Sequence, residues 1–506
     1  MINIVCDVLV IGGGAAGCRA AREAKKQNPE LDVLMVVSGK LGASGSTTLF
    51  ASEALGINAP YNMMDDGDSP ENYYSDIIET GLGMADPQLS KIIAYESSDR
   101  LDELIELGMK FDLHNGKIRQ QKLSGCKYAR SLTCGGSTGK DLVNVLKDDM
   151  LKRGVKGLEK VDIYDLLMNE NGDVCGARGI KDNEDVEIIS KSVVLATGGA
   201  ASIFRQNVTP SSQTGDGWGM AFRAGCKFIN MEFFQIGPAI VWPKAKFIIH
   251  SHMWRFNPKI TNKDGKEFIS KYCEDGVTAE DALYLKAMSY PFSTRTDAKY
   301  VDISIFKEII SGRGTDNKGV YFDVTHIPRT KMLEKAPITY ETLLKLGADI
   351  SEVPIEVSLA VQNFNGGILI DSDGFTGVNG LYAAGEVTGG VHGADRPGGN
   401  NLTDTQVFGY RAGVNAAINA ANIDHTQKPI QEKSRLNDDT ENSVKEEISK
   451  IFYDNLTIVR EEKNLLKTLD FINNELLKDI SISLYNRLII GKMLATATLE
   501  RKESRG

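Results

Sequence analysis

Short apolar runs that stop at glycine mark the beginning of the chain. Asp7-Val8-Leu9-Val10-Ile11 has the β-branched content and length of a buried parallel strand, and it ends at Gly12-Gly13-Gly14-Ala15-Ala16-Gly17. Ala20, Ala21 and Ala24 continue as good helix formers, Asn28-Pro29 interrupts them, and Asp32-Val33-Leu34-Met35-Val36-Val37-Ser38 supplies a second strand. Within this strand-turn-helix-strand unit Gly12, Gly14 and Gly17 have the GxGxxG spacing. The first permits a tight turn, the second lets backbone approach a pyrophosphate, and the third lets helix and strand pack closely, with the helix N-terminus facing the phosphates.

Further along, Ser192-Val193-Val194-Leu195-Ala196-Thr197-Gly198-Gly199-Ala200 is another buried strand ending in small residues. Arg100-Leu101-Asp102-Glu103-Leu104-Ile105-Glu106-Leu107-Gly108 closes an amphipathic helix with a glycine stop. Strand and helix patterns alternate over residues 1–240, as in an α/β fold. Residues 241–350 are more polar and aromatic with few glycine turns, as an inserted domain would be; the first pattern resumes over 351–422. A polar stretch from Asp424 to Lys445 reads as a linker or exposed turn, and a helical segment completes residues 423–506. The second glycine-bearing segment, Leu381-Tyr382-Ala383-Ala384-Gly385-Glu386, reads with the first as two halves of one dinucleotide site, and the pairing points to FAD rather than NAD. Where the usual fingerprint places an acid for the ribose, this chain has Ser38-Gly39-Lys40.

With 506 residues, the chain can bury a large core over two or more domains. Its 58 basic and 68 acidic residues, net −10, argue against a general nucleic-acid or membrane-surface role. No run of 18 apolar residues predicts a transmembrane segment, and the first apolar stretch is a strand rather than a signal peptide. The seven cysteines are scattered with no CxxC pair, so a reduced, cytoplasmic protein without an iron-sulfur cluster of its own is expected.

These pieces, in order, resemble the flavoprotein family of succinate dehydrogenase, fumarate reductase and L-aspartate oxidase over nearly the whole length. The motifs that carry the resemblance begin with the Gly12 fingerprint, Gly45-Ser46-Thr47, Val194–Gly199, Thr214-Gly215-Asp216-Gly217 and Glu232-Phe233-Phe234-Gln235. Asn365-Gly366-Gly367, Gly380–Glu386 and His392-Gly393-Ala394-Asp395-Arg396-Pro397-Gly398-Gly399-Asn400-Asn401-Leu402 follow. The resemblance implies a Rossmann-type FAD-binding domain with an inserted α+β capping domain and a helical C-terminal segment. It places Gly12, Gly14, Ala15, Ala16, Gly17, Ser38, Gly39, Lys40, Ser46, Thr47, Ala196, Thr197, Gly198, Asp216, Gly385, Glu386, Asn401 and Leu402 at FAD. Glu386 would bind ribityl or ribose hydroxyls, with Asn401 and Leu402 near the pyrimidine end of the ring. Relatives that attach FAD covalently do so through a histidine just after the second strand; residues 40–60 contain none, so non-covalent FAD is expected.

The substrate side departs from the family pattern. Holding a dicarboxylate requires cations, and reducing it requires hydride delivery with a proton donor opposite. Arg396 matches a family substrate arginine whose fork suits a carboxylate, the other reading being a surface ion pair. The family's Gln-Phe-His-Pro-Thr motif here is Gln235-Ile236-Gly237-Pro238-Ala239, and the histidine ahead of the double glycine is replaced near Gln362 or Asn363. The capping-domain arginine falls near Ala298, with Arg295 the nearest arginine, either catalytic or merely solvated. His250, His252 and Arg255 could replace lost cationic contacts or be structural, and His-x-His suits one face of a strand but offers too few ligands for a metal. Arg130, before Ser137-Thr138-Gly139-Lys140, is either a second carboxylate or flavin contact or a surface residue, and His392 would support the flavin or substrate loop. The expected function is an FAD-dependent oxidoreductase moving hydride between flavin N5 and a small organic acid or amino acid other than fumarate or succinate. The alternatives are an L-aspartate-oxidase-like amine oxidase, or an electron-transfer subunit with an iron-sulfur partner.

Overall fold

Val8–Ile11, Val33–Val37 and Ser192–Leu195 are buried at every position, and strands that bury both faces belong inside a parallel sheet covered by helices. The computed structural model, which describes residues 1–49, 55–423, 429 and 439–506, places them in that way. A five-stranded sheet runs in the order Leu381–Ala383, Ser192–Leu195, Val8–Ile11, Val33–Val37, Lys156–Glu159, with every neighbouring pair parallel. Gly12, Ala196 and Ala384 therefore follow the carboxyl ends of three adjacent strands. Ligands of open α/β sheets bind at that edge.

Helix Ala15–Gln27 covers the sheet and packs against Asn400–Ala421. The two approach so closely that a Cβ on Gly413 would lie 2.3 Å from the Ala20 carbonyl oxygen. Cys18 is buried in the first of these helices, with its thiol 3.5 Å from the Gly13 carbonyl oxygen. None of the seven cysteines is paired, and six of them are buried.

The alternation expected over residues 1–240 breaks at Asp162–Met168, Val174–Lys181 and Glu184–Ile189, which form an antiparallel run. Ile2–Val5 joins its edge in parallel with Glu184–Ile189. Asp182 and Asn183 both take positive φ (49° and 66°), the backbone of a two-residue hairpin turn, so no helix intervenes.

The inserted segment is framed by two long strands, Phe234–Trp242 and Ile355–Phe364, which pair antiparallel. Val320–Asp323 and Lys259–Thr261 extend that sheet, and helix Lys299–Ile310 packs on it. Because both long strands end at the dinucleotide-type sheet's side of the molecule, Gln235, Gln362 and Asn363 are brought to one place. Helices Asn442–Leu456, Glu462–Glu475 and Ile482–Glu500 form the C-terminal segment. The Tyr453 hydroxyl there donates to the Leu359 carbonyl at 2.8 Å. Most of the linker expected from Asp424 to Lys445 lies outside the described residues, and from Asn442 onward it is already helix. Among the described residues no helix is long and apolar enough to cross a membrane.

Candidate active site

The glycine turn is shaped by close approaches. Gly12 has φ of +112°, and a Cβ there would meet the Ala196 carbonyl oxygen at 2.2 Å; one on Gly17 would meet the Gly12 carbonyl oxygen at 1.9 Å. Gly14, the residue before the helix, has only the Thr47 hydroxyl near its missing side chain, at 3.4 Å, so backbone is bared to the cleft. The first turn of Ala15–Gln27 carries no acidic residue, leaving its positive end free for an anion. Gly12, Gly14, Ala15 and Ala16 line one cleft with Ser38, Gly39 and Lys40 from the second strand's end and with Ser46 and Thr47. Ala196, Thr197 and Gly198 form another wall, and Glu386, Asn401 and Leu402 form the far one. Gly17 sits behind the turn, and Gly385 (φ +78°) bends the chain against Ala16. Asp216 lines an adjoining cleft that shares Gly12, Ser38 and Thr197 with the first, where the Asn486 amide donates to it at 2.8 Å.

Glu386 is the acid of this cleft. It accepts from the Phe364 backbone N–H at 3.1 Å and from the Gln213 amide at 2.8 Å, while burial pushes its carboxyl above the ordinary range. Gln213 accepts in turn from the Ser46 hydroxyl at 2.8 Å, tying the Gly-Ser-Thr segment to the Ala-Gly-Glu turn. Nothing local in the sequence singles out Gln213, although it stands directly before the Thr214-Gly215-Asp216 motif. The Asn401 amide donates to Asn363 at 2.6 Å, joining the N-terminus of Asn400–Ala421 to the capping strands.

Behind this wall lies a polar chain. Arg295 pairs with Asp395 (Nη2 to Oδ2, 2.9 Å); Asp395 accepts from the Ser293 hydroxyl at 2.9 Å and the Gln235 amide at 3.2 Å; and Gln235 accepts from Arg396 Nη2 at 2.6 Å. Arg396 is only 7% exposed, takes part in no ion pair among the described residues, and leaves Nε unpartnered. Burial pulls its guanidinium down to about 10. Its partner Gln235 stands opposite Asn363, which lines the cleft, so Arg396 lies behind that wall.

The FAD binding domain family matches residues 7–402. A subunit of the CoM/CoB fumarate reductase of Methanothermobacter marburgensis is 33% identical, covering 99% of this chain and 93% of its own. L-aspartate oxidase of Yersinia pestis is 28% identical, covering 99% and 95%. Mycobacterium smegmatis Sdh1, solved in complex with UQ1, superposes with a TM-score of 0.87 at 27% identity, covering 100% of this chain and 88% of that one.

The chain belongs to the FAD-dependent fumarate reductase and L-aspartate oxidase flavoprotein family. FAD is its cofactor, and the flavoprotein's own residues fit it: bare backbone at Gly14 and an acid-free helix end suit a pyrophosphate, and the half-buried carboxylate of Glu386 suits hydroxyls.

Two sequence expectations for this flavoprotein need correction. Arg130 is fully buried, with Nε and Nη2 on Asp68 (3.0 and 2.7 Å) and Nη1 on Asp76 (2.7 Å), its guanidinium 4.6 Å from the Tyr73 ring centroid. Both carboxylates already satisfy that fork, so it anchors structure rather than contacting substrate or flavin. His250 and His252 do not share a strand face: His250 precedes a single helical turn, Ser251–Trp254. His252 bonds Thr339 at 3.2 Å, and Arg255 is exposed. His250 lies tilted against Tyr290, 5.1 Å between ring centroids, and burial with cationic neighbours pushes it down to about 3. His392 is buried 3.5 Å from Asp404, and Ala298 caps helix Lys299–Ile310. Among the described residues no group of three or more His, Cys, Asp or Glu could hold a metal.

Proposed function

We propose that this flavoprotein transfers hydride between FAD and a small organic acid or amino acid whose carboxylate is held by Arg396. FAD supplies the hydride-accepting and hydride-donating centre. The observation that carries the reading is the Arg396 guanidinium: a buried cation without an ion pair among the described residues, one nitrogen unpartnered, bonded to Gln235 behind the cleft wall at Asn363. A buried charge left in that state is stabilised by a ligand of opposite sign.

The rest of the chain's part is positioning. Gln235 orients Arg396, and Asp395 holds both Gln235 and Arg295. Arg295 is the proposed proton-handling residue, and His252, bonded to Thr339, belongs to the capping wall. Glu386 would accept from cofactor hydroxyls, and Asn401 and Leu402 would flank the ring. Gly237 and Gln362 stand where the family resemblance expects histidines, so fumarate, with two carboxylates, is not the substrate proposed. Electrons would pass to or from an iron-sulfur or other electron-transfer subunit, in keeping with relatives named as subunits.

The test is Arg396→Ala. Turnover against a panel of unsaturated, hydroxy and amino acids should fall by a hundredfold or more, about 3 kcal/mol for an unpaired buried carboxylate contact, while the flavin is retained. An unchanged kcat/KM would remove Arg396 from the site. The second reading, amine oxidation as in the aspartate oxidases, is favoured by likeness to the Yersinia enzyme over nearly the whole chain; rapid reaction of the reduced flavin with oxygen would support it.

A further inference from the structure

Gly237 and Gln235 lie two residues apart on strand Phe234–Trp242, so they share a face. Gln235 uses that face to hold Arg396, and Gly237 leaves it open. Tyr290 fills the opening: a Cβ on Gly237 would lie 2.5 Å from the Tyr290 hydroxyl oxygen and 2.6 Å from Cζ. The segment bearing Tyr290 is pinned there by the Phe292 N–H, which donates to the Ile236 carbonyl at 2.8 Å. From this position the tyrosine hydroxyl donates to Gln362 Oε1 at 3.2 Å.

Gln362 is itself specially placed. Gln235 pairs with Asn363 and Ile236 with Val361, so Gln362 is the extra residue of a bulge, a device that re-aims a side chain. It lines the FAD cleft, and once Oε1 is occupied by Tyr290 its amide nitrogen has no partner among the described residues. The charges around Tyr290 cancel. Lys286 and Asp302, both fully buried, pair at 2.6 Å, with the ammonium 5.5 Å from the Tyr290 ring centroid, and burial keeps His250 neutral. Burial also holds the Tyr290 phenol protonated.

We propose that Tyr290 is a positioning residue that fixes Gln362 with its amide N–H toward the substrate end of the cleft, giving the site one uncharged donor beside one cation. Resting on the reading of Arg396 above, this selects a substrate with a single carboxylate and an uncharged oxygen, such as a carbonyl or hydroxyl, in place of a second carboxylate. Tyrosine acts through the glutamine and does not itself touch the substrate.

The holoprotein tests this with two anions followed by perturbation of the flavin spectrum. Acetate reads the Arg396 contact alone; pyruvate adds the uncharged oxygen. The wild type should bind pyruvate more tightly than acetate. Tyr290→Phe should shrink that preference about tenfold, the worth of one oriented hydrogen bond, with acetate affinity and flavin content unchanged. Gly237→Ala, which displaces the phenol, should do the same, and the double variant should lose no more than either single one. An unchanged pyruvate preference in Tyr290→Phe overturns the proposal even where Arg396→Ala abolishes acetate binding, which leaves the Arg396 reading standing. Failure of both anions to perturb the wild-type spectrum, or a full loss of acetate binding in Tyr290→Phe, overturns it as well.

Discussion

Single residues in this protein are governed by what burial does to charge. Arg396 is buried, Glu386 and His250 are half-buried, and each is moved from its ordinary range in the direction that disfavours its charge. For His250 this has a sign that can be followed. Its folded value of about 3 lies below the ordinary 6.5, so the unfolded chain takes up the proton first, and stability is lost as pH falls from 6.5 toward 3. Each pH unit in that window costs up to about 1.4 kcal/mol. His250→Asn, which cannot titrate, should flatten the fall in Tm between pH 6.5 and 4 compared with the wild type. The glycine turn was legible in the sequence because backbone constraints leave signatures: Gly12 and Gly17 are required by approaches that no side chain tolerates. Arg130 was not, since nothing local marks an arginine whose partners, Asp68 and Asp76, lie more than 50 positions away. Tyr290 was hidden for a similar reason: its importance exists only against Gly237, across the capping sheet.

At the scale of elements, the glycine turn separates two duties that the motif's spacing combines. Gly17 serves the packing of helix on strand, whereas Gly14 faces the cleft. Gly17→Ala, which would force a contact at 1.9 Å, should cost about 1–3 kcal/mol of stability through overpacking and weaken FAD about tenfold or more. Gly14→Ala should weaken FAD while leaving the Tm of the apoprotein within a degree or two of the wild type. Thermal unfolding with and without FAD, beside flavin content on purification, distinguishes the two outcomes. Buried parallel strands were readable from their unbroken Val, Ile and Leu runs. The antiparallel run through Asp162–Ile189 was not, because its turn at Asp182-Asn183 lacks the glycine that usually announces a hairpin.

Over the whole molecule, one carboxylate ties the parallel sheet to the capping sheet. Glu386 follows the parallel strand Leu381–Ala383, yet it accepts from the backbone of Phe364, the last residue of a capping strand. Glu386 and the Asn401–Asn363 contact thus both tie the parallel-sheet side to the cap, and bound FAD should raise the Tm of both parts together, by an amount that grows with free FAD concentration. The flavin should also leave with the supernatant on acid precipitation, since no histidine stands between residues 40 and 60; yellow colour in the pellet would show a covalent bond. The order of motifs let the fold class be written from sequence, while the meeting of sheets at Glu386 depends on contacts between strands distant in the chain.

Cys18 carries a different consequence. Its thiol is fully enclosed beneath the glycine turn, within reach of the Gly13 carbonyl, and burial pushes it up to about 12, so it is unreactive while the turn is closed. Alkylation of that sulfur therefore requires the cradle to open. The native chain already contains a clock for such openings: the rate at which Cys18 is labelled, measured peptide by peptide, reports how often the glycine turn comes apart, and how far a bound dinucleotide slows it.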